Sequence, residues 1–159
     1  MHSGPGTSGT SHSERKGHIK LESTTVRALL DRHWAASDAG DADAEYDIYA
    51  EDVVVEYPQS GEVMRGKRNI RALRTHHPTV RTFTVRRIVG AGDIWVTEFV
   101  LTYDGKPTQT VSIMEFSEEL VVRETQYFAD PFDPPAWRSQ WVELAQPSTP
   151  SPPPERPAR

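Results

Sequence analysis

Apolar positions recur along this chain at two periods, and the period changes once. Val26, Leu29, Leu30, His33, Trp34 and Ser37 fall at helical spacing, with Ser23 or Thr24 available as the N-cap. The pattern breaks at Gly40. Asp41 can then cap a second short helix carrying Tyr46 and Tyr49, whose early acids Asp41, Asp43 and Glu45 suit the positive end of a helix dipole. VVVEY reads as a β-branched strand stopped by Pro58, QSGE as a turn and VMRG as a short extended piece. KRNIRALRTHH predicts a third helix with Ile70, Leu73 and Arg74 in one stripe, ending ahead of Pro78.

Beyond Pro78 the period becomes two. VRTFTVRRIVG, DIWVTEFVLTY, TQTVSIMEF and LVVRETQYF read as four strands joined by short turns, and DPFDPPAWRSQWVEL as a proline-started short helix. Helices first and a strand meander afterwards define an α+β chain.

The strands can be paired on paper. With residues 104–107 as a loop, Tyr103 faces Thr108, Leu101 faces Thr110, Phe99 faces Ser112 and Thr97 faces Met114. With residues 117–119 as the next loop, Met114 faces Val122, Ser112 faces Glu124 and Thr110 faces Gln126. One face then carries Trp95, Thr97, Phe99, Leu101, Thr110, Ser112, Met114, Phe116, Val122, Glu124, Gln126 and Phe128. The other carries Val96, Glu98, Val100, Val111, Ile113, Glu115, Arg123, Thr125 and Tyr127. Both are largely apolar, so a sheet with one solvated side does not fit. The aromatic-rich face is expected to meet the helices, and the second to be a self-association surface in a homodimer.

Composition sets the boundaries. Residues 22–144 hold all four Trp, all five Tyr and all five Phe, whereas six of the 13 prolines fall between Pro147 and Pro157. Residues 1–21 (Gly, Ser and Thr broken by charge) and 145–159 (Pro-rich) are therefore expected to be disordered tails around one domain. Of 18 basic and 23 acidic residues, the tails take five and two, leaving 13 against 21 in the domain. So acidic a domain is a poor nucleic-acid binder, because phosphate neutralisation supplies most of that affinity. No apolar run approaches the ~18 residues of a membrane span. Met1–Lys20 has no apolar core of a secretory signal, and with no cysteine in the chain a cytoplasmic setting is the default expectation.

The Gly40-Asp41 turn, Tyr49-Ala-Glu-Asp52, Pro58 and Gly66, followed by the meander, resemble the nuclear transport factor two-like superfamily over residues 24–142. Within it, the likeness is to SnoaL-like polyketide cyclases and ketosteroid isomerases. The resemblance implies a curved, mostly antiparallel sheet wrapped by N-terminal helices into a cone, a cystatin-like α+β barrel. It also implies an apolar pocket, commonly in a dimer across the sheet. The scaffold hosts isomerases, cyclases, dehydratases, hydrolases and non-catalytic binders alike. Matching the isomerase machinery residue by residue, the oxyanion-stabilising tyrosine falls on His33, the base aspartate on Tyr57 and the protonated aspartate on Ser112. None keeps the isomerase residue, which argues against steroid-type chemistry with an aspartate base.

Glu124, His33 and Tyr57 are the candidate catalytic groups. A carboxylate on an aromatic inner face is desolvated, so its pKa is expected to rise toward the proton-transfer range. The competing reading has Glu124 solvated at the cone mouth or paired by an arginine. On the catalytic reading, Glu124→Gln preserves folding. His33 either donates to a developing oxyanion or is satisfied by a neighbouring carbonyl, and Tyr57 is either a phenol donor or core filling. Ser112, Gln126, Trp34, Trp95, Phe99, Met114 and Phe128 are the candidate substrate-binding residues. Two functions follow: a cofactor-independent enzyme on an apolar carbonyl or polyketide-like molecule, or a non-catalytic binder of a small apolar ligand.

Other features point elsewhere. There is no phosphate loop, GxSxG or HExxH motif, so no cofactor is expected. His76-His77 lacks a third ligand at useful spacing and reads as a solvated loop, so no metal site is expected. Arg65, Lys67, Arg68, Arg71 and Arg74 form a basic cluster that offsets the acids of residues 38–52, with an anionic ligand as the alternative. Asp130 either caps the last strand or sits at the pocket rim. Trp137 and Trp141 read as core or interface packing.

Overall fold

The computed structural model describes residues 22–145. Apart from Ala145, the tails expected to be disordered lie outside the described residues. Helix α1 runs Ser23–Ala39 and buries Val26, Leu30, His33, Trp34 and Ser37 of the predicted stripe together with Ala36, while Leu29 is half-buried. Its N-cap is Glu22, without a side-chain bond; Ser23 and Thr24 lie already inside the first turn. Gly40 ends it in a left-handed conformation (φ 70°), which lets the Asp41 N–H reach the Ala36 carbonyl at 3.0 Å. Asp41 accepts from the Ala44 N–H at 3.1 Å and starts α2, Ala42–Tyr46. Tyr49 is not on that helix: it opens strand β1, Tyr49–Tyr57. Strand β2 is Glu62–Arg65, helix α3 Lys67–Thr75, and the meander is β3 Arg81–Ala91, β4 Ile94–Tyr103, β5 Lys106–Ser117 and β6 Leu120–Ala129.

The six strands form one unclosed sheet in the order β2-β1-β6-β5-β4-β3. Every neighbouring pair is antiparallel except β1 and β6, which run parallel. Helix α1 packs on β3 and on α2, and α3 packs on β1 and β2. The helices thus cover one face of the curved sheet, and the expected α+β architecture holds.

Register differs from the paper pairing by two residues in both hairpins. Tyr103 pairs with Lys106 around Asp104 (φ 47°) and Gly105 (φ 83°), a two-residue turn with both central residues left-handed. Ser117 pairs with Leu120 around Glu118 (φ 57°) and Glu119. Phe99 therefore faces Thr110, Ser112 faces Gln126 and Met114 faces Glu124. A shift of two leaves every side chain on its expected face. One residue departs from this. The register slips between Glu115 and Phe116, so that Phe116 pairs with Val121, and it is Val121 that is fully buried while Val122 is half-buried.

The core joins α1 to the inner sheet face through Trp34, Trp95, Phe99, Met114, Phe116 and Val121. Trp137 and Trp141, on a 3-10 helix at Ala136–Trp141, are 73% and 72% exposed, which removes the core reading for both. Gly90 is the tightest backbone position. A Cβ there would lie 2.6 Å from the Ile94 carbonyl oxygen and 2.6 Å from the Trp95 ring. Gly90→Ala is expected to displace Trp95 and destabilise the fold by about 1–3 kcal/mol, measured by chemical denaturation. An unchanged midpoint would show that the β3–β4 ribbon yields instead.

Candidate functional site

Four residues after fully buried Ile70, Arg74 points inward from the end of α3 and is 7% exposed. It meets side chains from two strands, β6 and β1, and from helix α2. Its Nη2 donates to Glu124 Oε2 at 3.0 Å and its Nη1 to the Tyr49 hydroxyl at 3.1 Å. The Tyr49 hydroxyl donates in turn to Glu124 Oε2 at 2.7 Å. The other Glu124 oxygen accepts from Ser112 Oγ at 2.7 Å and from Gln126 Nε2 at 2.6 Å. Glu45 brings a second carboxylate 3.8 Å from Arg74 Nη1.

This arrangement reverses the expected titration of Glu124. Burial pushes its carboxyl up, but the Arg74 guanidinium and the Tyr49 and Ser112 hydroxyls outweigh it, leaving the carboxyl below its ordinary range. Burial pulls the Arg74 guanidinium down, and Tyr49 and Glu124 more than offset that. Burial raises the Tyr49 phenol well above its ordinary value. The centre is therefore an ionised carboxylate and guanidinium sharing a neutral phenol. Glu124 with four donors is an ion-paired anchor, the arginine-paired alternative of the sequence reading.

His33 is also fully enclosed. Its Nδ1–H donates to the Glu45 carbonyl at 2.8 Å, and its ring sits edge-on to Trp34 and Tyr49. Burial lowers its pKa below 6.5, so the ring is neutral. Its Nε2 is the one buried side-chain nitrogen or oxygen without a partner among the described residues.

Beside this network lies a cavity of about 410 Å³. Trp34, Leu73, Phe83, Phe99, Leu101 and Phe128 give it apolar walls, and Glu45, Arg74, Gln126, Tyr57, Tyr103, Thr108, Asp130, His77 and Arg81 its polar ones. Of the sequence-predicted residues, Trp34, Tyr57, Phe99, Gln126 and Phe128 line it. Glu124, His33 and Ser112 do not: they stand behind Arg74 and Gln126. Trp95 and Met114 are core residues, with the Trp95 Nε1–H donating to the Gly92 carbonyl at 3.0 Å. Tyr57 packs edge-on to Phe128 at 5.1 Å. Asp130 stands at the rim and accepts from Thr108 at 3.0 Å. His77 is not a solvated loop residue: it is half-buried and stacked on Tyr103 at 4.9 Å.

Sequence reasoning missed Arg74, Tyr49 and Glu45 as one unit. Arg74 belongs by sequence to the basic cluster, of which Lys67 and Arg71 do pair with Glu51 and Asp43. The available signal was its place in an apolar stripe with Ile70, which is no place for a cation without a buried carboxylate. Among the described residues no group of three or more His, Asp or Glu is placed to hold a metal ion. No described helix is long and apolar enough to cross a membrane.

Residues 27–124 match the model of the SnoaL-like domain, and the chain belongs to that family. A crystal structure of an NTF-2 like protein of unknown function from Burkholderia xenovorans is 54% identical, with a TM-score of 0.71 over 77% of this chain and 97% of that one. A candidate ketosteroid isomerase from Kribbella flavida is 24% identical, with a TM-score of 0.73 over 79% and 93%. An LEH-like epoxide hydrolase from M. tuberculosis is 20% identical, with a TM-score of 0.56 over 66% and 83%. The last two share the fold. No curated protein matches the chain.

Two predictions follow from the ion pair. Glu124→Gln, expected from the sequence to leave folding intact, removes the principal counter-charge of a buried guanidinium and is expected to destabilise by about 3–5 kcal/mol, read by urea denaturation. Acid is the second test. Both Glu124 and His33 titrate lower in the fold than in the unfolded chain, so the unfolded state binds more protons as pH falls. Their stabilisation is complete above 6.5, the ordinary histidine value; His33 begins to lose its share below that pH, and Glu124 its share in the carboxylate range. A midpoint independent of pH from 7 down to about 5 would contradict the neutral buried imidazole.

Proposed function

We propose that the chain is a small-molecule pocket protein whose cavity takes an apolar carbonyl compound and moves a proton on it without a cofactor, as an isomerase, cyclase or dehydratase does. The observation that carries this is Arg74, a guanidinium fixed by Glu124, Tyr49 and Glu45 yet bordering an aromatic cavity. Donors fixed in advance at a dry wall stabilise a developing oxyanion without reorganising. Arg74 spends one N–H on Tyr49 and one on Glu124, and Gln126 one on Glu124, so both retain donors for a ligand oxygen. Glu45, 5% exposed and on the same wall beside Arg74, is the carboxylate free to take a proton, since the other wall carboxylate, Asp130, stands at the rim and accepts from Thr108. In this reading Glu45 removes a proton from the carbon beside the carbonyl, and the electron pair moves onto the oxygen held by Arg74 and Gln126. It then returns the proton to another carbon or to a departing oxygen. Tyr57 adds a phenol on the same wall. Glu124, Ser112 and His33 act through the residues they hold.

A non-catalytic binder is the second reading, favoured by the saturation of Glu124 and by the enclosure of His33 behind the wall. Proton exchange separates the two. In D2O, the native protein is expected to accelerate exchange of the protons beside the carbonyl of an alicyclic ketone, and Glu45→Gln to reduce that about 100-fold. Binding without exchange supports the binder. Leu73→Trp, at a half-exposed wall position, is expected to leave the fold intact and block ligand uptake in either case, seen as the loss of binding heat in calorimetry.

The outer sheet face supports the proposal of a homodimer. Val96, Val100, Val111 and Ile113 are half-buried and Tyr127 is 44% exposed, on the face away from the helices. Light scattering is expected to give twice the 17.9 kDa of one chain, and Ile113→Glu to give a single chain. A native mass of one chain removes the interface.

A further inference from the structure

Next to the aromatic cavity lies a second, more polar chamber of about 430 Å³, lined by Ser37, Asp38, Gly40, Tyr46 and Thr79 among others. The two chambers share a wall of four side chains, Glu45, Arg74, His77 and Arg81. Two of the four balance each other's charge: Glu45 stands 3.8 Å from Arg74, beyond hydrogen-bond reach, and Arg74 is also held by Glu124. The remaining wall carboxylate of the first cavity, Asp130, accepts from Thr108.

Arg81 is different. Among the described residues it pairs with no carboxylate, and its single hydrogen bond runs from Nη2 to the Arg74 carbonyl at 3.0 Å. Its guanidinium carbon lies 5.9 Å over the centroid of the Phe83 ring, and the residue is half-buried. His77 completes the pair. Its Nδ1 accepts from the Thr79 N–H at 3.3 Å, so the ring proton of the neutral form sits on Nε2, which has no partner among the described residues. A half-buried cation with four N–H donors unspent and an imidazole N–H therefore meet at the wall between an apolar chamber and a polar one.

We infer that Arg81 and His77 form a carboxylate-recognition point, so that the ligand is an apolar acid whose ring system fills the aromatic chamber and whose carboxylate lies at the wall the two chambers share. A guanidinium fork matches a carboxylate with two parallel hydrogen bonds, and Arg81 pairs with none of the carboxylates that line the two cavities, Asp38, Glu45 and Asp130. This rests on the reading of the cavity as a small-molecule site and adds to it the class of molecule recognised.

The test uses naphthoate and its uncharged methyl ester as probes on the full chain, with affinities from calorimetry. The native protein is expected to bind naphthoate at least tenfold more tightly than the ester, with a preference that shrinks as salt is raised. Arg81→Gln is expected to abolish that preference while leaving the ester's affinity unchanged, and Arg81→Lys to restore part of it. Arg81→Met, which keeps the stem over Phe83, carries the same comparison if the Gln variant does not fold. Equal affinities in the native protein, or a preference that survives both neutral substitutions, overturn the carboxylate point and leave the pocket standing. If neither probe binds at millimolar concentration, the pocket reading falls and this inference with it.

Discussion

The ion pair between Arg74 and Glu124 is the constraint around which the rest of the molecule is arranged. Neither charge is stable alone in an interior this dry, and each needs its remaining hydrogen-bonding capacity filled. Glu124 takes donors from β1, β5, β6 and α3, so one carboxylate specifies how four elements meet. The parallel pairing of β1 with β6 puts Val55 opposite Glu124 and so keeps Tyr49 and Glu124 on adjacent strands. A register slip in β6 would turn a charge out of its cage, a penalty that apolar neighbours alone would not impose.

That same cage separates holding from doing. A carboxylate with four donors has no lone pair to spare, and Arg74 beside it lowers its basicity. The groups that border the cavity are those the cage positions: Arg74, Gln126 and Glu45. This order of shells also explains why the isomerase pattern matches poorly at His33, Tyr57 and Ser112. Two of these three support the wall from behind, and Tyr57 alone lines the cavity.

Most of the fold was legible because it is written in two periods. The inner and outer faces of β4 and β5 follow from alternation alone, and the register errors were harmless because both were even. They arose from allotting longer loops than Asp104-Gly105 and Glu118-Glu119, whose left-handed residues close the strands in two positions. The irregularity was illegible: nothing in the alternation of LVVRETQYF announces the slip that buries Val121 in place of Val122. Tyr49 was misplaced because a Tyr three residues after another at the end of a short helix also fits helical spacing. The site was legible in half. Alternation brings Ser112, Glu124 and Gln126 to one face, whereas Arg74 comes from a helix, and no strand arithmetic reaches across to it.

Unspent hydrogen-bonding capacity gives a sharper criterion than residue type for where this molecule meets a ligand. A folded chain satisfies nearly all its enclosed polar groups, so those left open beside a cavity are the informative ones. His33 has an open Nε2 but lies behind the wall, boxed in by Trp34 and Tyr49. Glu124 lies behind it too and is closed. Arg81, His77 and the second N–H of Gln126 are open and border the cavity, and they come from β3, the segment after α3, and β6. No local motif could bring those three together. They converge on Arg74: its side chain reaches Glu124, and its carbonyl accepts both from the His77 N–H at 3.4 Å and from Arg81 Nη2 at 3.0 Å.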